Sequence, residues 1–298
     1  AQVLGVLNLV HEAISGGYTT TKRDIYYKDV ELFKSQATVD RIVDDVAATF
    51  EAERSMMNVR ATSKGLLLGN GLEIHLTSKD VICSNVSEGI LIPPGEAIER
   101  FDITEVPSWI LIVEKEVTKL SHCGQVIGLQ GKGYPDVATR ELLKTFGDNL
   151  PDSVPILALV DGDPHGLDIL SVYKFGSASM KHEVDKLAAN RIESVGIWGS
   201  ELSDLGVGLS QLIPITKQDE AKEIMGYLQA LAMLQRPDSL MPSKWRSELA
   251  RMLHLRRKAE IEVLTSQTEG ISGRSDVSLL LQYLRRKIVY FVDLYTSL

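Results

Sequence analysis

Glu114, Asp161 and Asp163 stand directly behind two short apolar runs, at 109–113 and 156–160, that read as buried strands. In an open parallel sheet, ligands bind beyond the carboxyl ends of the strands, so these acids are placed where a site would form. Residues two apart in an extended segment share a face, and Asp161 and Asp163 can therefore aim at one point. Clustered carboxylates repel one another unless a cation joins them. Hard oxygen ligands with no His or Cys suit Mg²⁺, with Mn²⁺ as a substitute. The run Asp161-Gly162-Asp163-Pro164 is also ordinary turn composition, and spacing alone leaves a metal site and a plain turn equally open.

A second unusual segment is Arg23-Asp24-Ile25-Tyr26-Tyr27. If it is helical, Arg23 and Tyr27 lie at i and i+4 on one face while Tyr26 points elsewhere, which favours Tyr27 as a reactive group. A phenol with a reference pKa near ~10 needs a cation or a base to become a nucleophile. Arg23 offers the cation, and its planar fork fits a phosphate. Taken alone, the segment fits better as two amphipathic core tyrosines beside a surface arginine.

These residues must be positioned by elements. Val3, Val6, Leu7, Val10 and Ile14 form one helix face closed by Gly16 and Gly17, and Val39, Ile42, Val43, Val46, Ala47 and Phe50 form another, with Thr38 placed as its cap. Residues 66–68 and the alternating Leu72, Ile74 and Leu76 flank Gly69-Asn70-Gly71 and read as a β-hairpin. Helices followed by a hairpin suggest a winged helix-turn-helix module. Pro93, Pro94 and Gly95 mark a linker. Beyond it, apolar runs at 110–113, 126–129, 156–160 and 195–198 alternate with helical patterns at 137–146 and 166–175, the signature of a mostly parallel sheet covered on both faces. From 243 onward the chain reads as long helices, interrupted at 270–273. The expected fold class is mixed α/β: residues 1–92 a winged-helix domain, 93–106 a linker, and 107–298 a Rossmann-like domain with a helical extension.

With 298 residues, of which 44% are hydrophobic, the chain can bury a substantial core, and none of its apolar runs approaches the ~20 residues that span a bilayer. Ala1, rather than Met, opens a helix already under way, so a longer natural chain is expected. Cys83 and Cys123 belong to no zinc-spaced cluster and fit a reducing compartment. A formal charge of −8 means that any DNA contact must use a local basic surface. Arg246, Arg251, Arg256, Arg257 and Lys258 are candidates for such a strip, although a solvated helix face is the commoner outcome. Gly-x-Ser-x-Gly and HExxH motifs are absent, which removes two common hydrolase classes.

Four motifs, in order and spacing, carry a resemblance that covers nearly the whole chain: RDIYYKDVELF from Arg23, VEKE from Val113, GKGYPDVATRELL from Gly131 and DGDPHG from Asp161. Together they are similar to the meiotic double-strand-break transesterases and the topoisomerase VI A subunits. The resemblance implies a winged-helix domain bearing a catalytic tyrosine, at Tyr27 with its accompanying Arg23. It also implies a Toprim domain whose metal-binding acids are Glu114, Asp161 and Asp163. The implied reaction is Mg²⁺-dependent attack on double-stranded DNA giving a 5′-phosphotyrosyl link. Implied partners are a second copy of the chain on DNA, other meiotic break proteins and a topoisomerase VI B-like subunit, in the nucleus and on chromosomes.

The GKGYPD form looks more like the meiotic branch. Lys132 could reach a DNA phosphate and Tyr134 a base or sugar, or Gly131 and Gly133 could simply make a tight βα turn. This loop is not a P-loop, because Gly133 rather than Ser or Thr follows Lys132. No other ATP motif occurs, so ATPase activity would come from a partner. His165 could contact phosphate, though a lone His at a helix start is more often structural. Two further readings stay open: a topoisomerase subunit that reseals its cut, and a non-catalytic DNA-end-binding scaffold.

Overall fold

The computed structural model of the chain describes residues 1–52, 54–60, 63–84, 89–115, 126–177, 180, 183–214, 241–265 and 279–297. Glu116, Cys123 and the expected interruption at 270–273 lie outside the described residues.

The amino-terminal part is helical: α1 (Gln2–Gly16), β1 (Thr20–Thr21), α2 (Lys22–Lys28), α3 (Val30–Phe33), α4 (Gln36–Thr49) and β2 (Val59–Arg60), with β1 and β2 paired in parallel. Gly17 ends α1 in the left-handed conformation at φ 64°, which costs glycine nothing. Thr21 and Asp24 form a capping box at the start of α2, and Asp29 caps α3. The cap of α4 is Ser35 rather than Thr38. Ser35 has the extended backbone that precedes a helix, and its hydroxyl accepts the Thr38 N–H at 3.3 Å, whereas Thr38 already lies in the first turn. Val6, Val10, Ile25, Phe33, Val39, Ile42, Val43 and Val46 make one buried cluster here, the intersection of the apolar faces of α1, α2, α3 and α4.

Next come β3 (Leu66–Gly69), β4 (Leu72–Leu76), β5 (Val81–Cys83), β6 (Ile90–Leu91) and β7 (Ile98–Ile103). The expected hairpin does not form. β3 pairs with β6 and with β9 (Val126–Gln130) in the large sheet, while β4 joins β5 and β7 in a separate three-stranded antiparallel sheet. Gly69 explains the divergence, because a Cβ there would lie 2.4 Å from the Val126 carbonyl oxygen. Its role is close approach to β9, not a turn folding β3 back on β4. Residues 98–103, expected within the linker, form β7.

The remaining elements are β8 (Trp109–Val113), α5 (Val137–Asn149), β10 (Ile156–Leu159), α6 (Pro164–Phe175), α7 (Val184–Leu187), β11 (Ile192–Gly196), β12 (Ile213–Pro214), α8 (Ser243–Leu255), β13 (Arg257–Lys258), α9 (Glu262–Thr265) and α10 (Leu279–Thr296). The large sheet has the order β11-β10-β8-β9-β3-β6, with β11, β10, β8 and β9 parallel, β3 antiparallel to β9, and β6 antiparallel to β3. Strand alternation divides two cores. Ile110, Ile112, Ile156 and Ala158 face a cluster with Leu143 and Phe146 of α5, Leu170 of α6 and Trp245 of α8. Leu111, Val113, Leu157 and Leu159 face Leu264 of α9 and Leu280 and Tyr283 of α10. Each buried Leu or Ile contributes roughly 1.5–3 kcal/mol, so the sheet is held from both faces.

Candidate functional site

The chain leaves β8 toward β9 on one side and leaves β10 toward β11 on the other. The carboxyl ends of β8 and β10 therefore flank the point where the winding reverses, the usual ligand crevice of an open α/β sheet. Glu114 and Asp161 emerge at those two ends. The Asp161 N–H donates to Glu114 Oε2 at 3.1 Å, and the Glu114 N–H donates to the Leu159 carbonyl at 3.1 Å. Asp163 is buried and caps α6, its Oδ1 accepting the Gly166 N–H at 2.8 Å, with Pro164 at the first helical position. The turn reading of this segment is thus correct as far as it goes, and the same turn delivers two acids beside Glu114. Glycine is required in it: a Cβ on Gly162 would lie 2.8 Å from the Ile197 carbonyl oxygen, and one on Gly166 2.3 Å from that of Asp161.

Burial raises the Glu114 carboxyl from 4.5 to about 7, with Asp161 and Asp163 adding repulsion and the Asp161 N–H opposing it. Asp161 is also raised, chiefly by burial. Glu114, holding its proton up to about 7 beside two other carboxyls, is a group that a divalent cation would discharge, so the donor chemistry fits Mg²⁺. The three acids do not bring one oxygen each within 4.8 Å of the others. Among the described residues only Glu73, His75 and Asp102 do so, on the small sheet away from the crevice. In that cluster His75 Nε2 lies 2.8 Å and the Arg100 guanidinium 3.0 Å from Asp102.

Three contributors escaped the sequence reading. The Lys115 ammonium sits on Asp161 at 2.9 Å and on Glu262 at 3.0 Å. Asp136 binds the Lys64 and Gly65 N–H groups at 2.6 and 2.9 Å while capping α5 through Thr139 at 2.7 Å, and so ties the 131–136 loop to the strand entering the large sheet. An Asp three residues ahead of Thr139, just before an amphipathic run, was a readable cap signal. Tyr173 is buried, with its hydroxyl against Gly131, where a Cβ would lie 2.5 Å from it. Contacts such as Lys115 to Glu262 join distant parts of the chain and leave no local pattern.

The 131–136 loop lies against Glu114, whose carbonyl accepts the Gly133 N–H at 3.0 Å, and Gly133 adopts φ 85°. Lys132 is exposed, also with positive φ. Tyr134 is exposed and donates to Asp168 at 2.7 Å. His165 is exposed in the first turn of α6, next to the acids. Of the basic residues near α8, Arg246 donates to the Met241 carbonyl and Lys258 pairs with Glu260, while Arg251 and Arg256 are exposed.

On α2 the tyrosines separate as the helical spacing requires. Tyr26 packs against the helical core, whereas Tyr27 is 59% exposed, with the Arg23 guanidinium 5.6 Å from its ring centroid. α2 packs on β1, α3 and α4.

An exposed tyrosine backed by arginine on a helical unit, with acids at the switch point of an α/β sheet, defines a class. Residues 109–288 match the family model of the Toprim domain shared by Spo11 and the topoisomerase 6 A subunits, and residues 1–59 match that of type IIB DNA topoisomerase. The chain belongs to this family of Spo11 proteins and topoisomerase 6 A subunits. It is 35% identical over 88% of its length to the meiotic recombination protein SPO11 of Homo sapiens, of which it covers 66%. It is 33% identical over 92% of its length to the meiotic recombination protein rec12 of Schizosaccharomyces pombe, covering 76% of that protein. To the A3 subunit of DNA topoisomerase 6 from Oryza sativa subsp. indica it is 36% identical over 88% of its length, covering 58%. The chain thus spans about two thirds of the length of the human relative.

Proposed function

We propose that this chain is the catalytic core of a DNA-cleaving transesterase that makes double-strand breaks in meiotic recombination. The observation that carries this reading is the division of labour between Tyr27, exposed beside Arg23, and the Glu114, Asp161 and Asp163 crevice. Tyr27 Oη attacks a backbone phosphorus of double-stranded DNA. A tyrosine-to-phosphorus ester forms, the bond from phosphorus to the 3′ oxygen breaks, the phenolic proton passes to solvent, and the leaving oxygen takes one up. The products are a 5′-phosphotyrosyl link and a free 3′ hydroxyl. Arg23 stabilises the phenolate and holds a phosphate oxygen. Glu114, Asp161 and Asp163 would hold Mg²⁺ or Mn²⁺, which supplies positive charge to offset that of the phosphate and the leaving oxygen.

The helical residues up to β2 serve as the DNA module that carries Tyr27, without the hairpin wing expected at 66–76, and Lys132, Tyr134 and His165 border the crevice as DNA contacts. One chain offers one tyrosine and one set of acids, so a double-strand break takes two chains, paired across the approximate two-fold axis of the duplex. The names of the relatives support a nuclear, chromosomal role and a topoisomerase VI B-like partner alongside other meiotic break proteins. No described helix is long and apolar enough to cross a membrane.

Tyr27→Phe removes one exposed hydroxyl and keeps the ring. It is expected to abolish covalent attachment to DNA while leaving the unfolding temperature and DNA affinity unchanged. An adduct that persists in Tyr27→Phe and vanishes in Tyr26→Phe would overturn the assignment. The similarity to the rice topoisomerase 6 protein favours one second reading, a subunit that reseals its cut. ATP-dependent relaxation of supercoiled DNA with a B-type subunit would support that reading over the first.

A further inference from the structure

The way Lys115 sits among the acids leads beyond the metal-site reading, on which this inference rests. Its Nζ lies 2.9 Å from Asp161 Oδ2, 3.0 Å from both carboxylate oxygens of Glu262 and 3.7 Å from Glu260 Oε2. Asp161 Oδ1 accepts the Ile261 N–H at 2.8 Å, so both oxygens of this buried carboxylate are engaged on the side of the 259–262 segment. That segment is pinned by backbone: the Gly162 N–H donates to the Ala259 carbonyl at 2.7 Å, and the Ala259 N–H returns the bond at 3.0 Å. Glu260 and Glu262 are therefore held beside the Asp161 turn by the fold, and not by the lysine alone.

Glu114 and Asp163 differ from Asp161 in this respect. Glu114 spends Oε2 on the Asp161 N–H and Asp163 spends Oδ1 on the Gly166 N–H, and neither has a partner on its second oxygen among the described residues. The acidic crevice thus divides into two parts. One, between Glu114 and Asp163, has open carboxylate oxygens. The other, between Asp161, Glu260 and Glu262, already holds a cation. An ionised carboxylate carries about four lone-pair sites, so Asp161 can serve both parts at once.

We propose that Lys115 is the built-in second cation of this site, occupying with Asp161, Glu260 and Glu262 the place where a two-metal centre would hold its second divalent ion, so that each chain binds one ion there, on the Glu114 and Asp163 side. Two-metal sites set their ions about 4 Å apart between shared carboxylates, and a lysine ammonium supplies charge at such a place without needing octahedral coordination. Lys115 is a positioning residue in this scheme. It fixes the number of metals and the attitude of Asp161, and it does not touch the reacting phosphate.

Crystals of the full chain soaked in Mn²⁺, with anomalous density locating each ion, test the proposal. Wild type is expected to show one ion in the crevice, Lys115→Arg one, and Lys115→Gln two, the added ion lying between Asp161, Glu260 and Glu262. In solution, Lys115→Gln is expected to unfold at a lower temperature than wild type in chelator and to gain more from Mn²⁺. Two ions in wild type, or one in Lys115→Gln, would overturn the proposal, and the wild-type count decides even if the glutamine variant does not fold. Crevice density that survives Glu114→Gln combined with Asp163→Asn would instead sink the underlying metal-site reading. Loss of that density in the double variant together with a single ion in Lys115→Gln would sink the inference alone.

Discussion

Burial beside two other carboxyls sets the state of Glu114. Its pKa rises from 4.5 to about 7 on folding, so between those values the folded chain carries a proton that the unfolded chain has lost. Stability linked to this group is therefore fully present below 4.5, falls as pH rises through the window and is gone above about 7. Asp161, raised for the same main reason, acts with the same sign. In chelator, the unfolding temperature of the chain is expected to drop by roughly 2–6 °C between pH 5 and 8 beyond any drop in Glu114→Gln. Added Mg²⁺ should flatten the difference, because it favours the ionised form. An unfolding temperature that rises over this range relative to Glu114→Gln would contradict the burial argument.

At the scale of elements, the turn between β10 and α6 does two jobs, capping a helix and presenting acids, and its glycines leave no room for a side chain. Gly166→Ala would drive a methyl group into the Asp161 carbonyl, 2.3 Å away, and Gly162→Ala would press on backbone of both β11's exit and the 259–262 segment. Each is expected to destabilise by about 1–3 kcal/mol, as overpacking does, and to weaken Mn²⁺ binding by tilting Asp161. Gly147→Ala in α5 is the control, since nothing lies within 4 Å of a Cβ there. Its helical position favours alanine by up to about 1 kcal/mol. Thermal unfolding of the three variants would settle whether the tight approach or glycine content in general matters.

At the scale of the whole molecule, Tyr27 and the acids lie on different elements. Tyr27 rides on a helix with its own buried cluster, and the acids sit between two other cores. If the tyrosine of one chain works with the acids of its partner, mixing Tyr27→Phe chains with Glu114→Gln chains regenerates one intact site per heterodimer. The mixture is then expected to nick one strand, giving single-strand adducts, although neither variant alone cuts. No cleavage from the mixture would place each complete site within one chain. A charge of −8 per chain opposes pairing at low salt, so the adduct yield should be measured across ionic strength.

Local pattern carried much of this protein. The i and i+4 placement of Arg23 and Tyr27, the four apolar strands of the parallel sheet, the fourth lying at 192–196 rather than 195–198, the helices expected at 137–146 and 166–175 and the acids at strand ends were legible, because helical and strand periodicity and the punctuation of Asp, Gly and Pro act over a few residues. Other features were decided only in three dimensions. Gly69-Asn70-Gly71 reads as a hairpin turn until the approach of β9 claims Gly69, and Thr38 is a plausible cap until the backbone of Ser35 turns out to be the extended one. Lys115 meets Glu262 across 147 residues, and Asp136 meets Lys64 across 72. Side-chain chemistry is written residue by residue, but strand partners, close backbone approaches and ion pairs between distant segments depend on which surfaces the folded chain brings together.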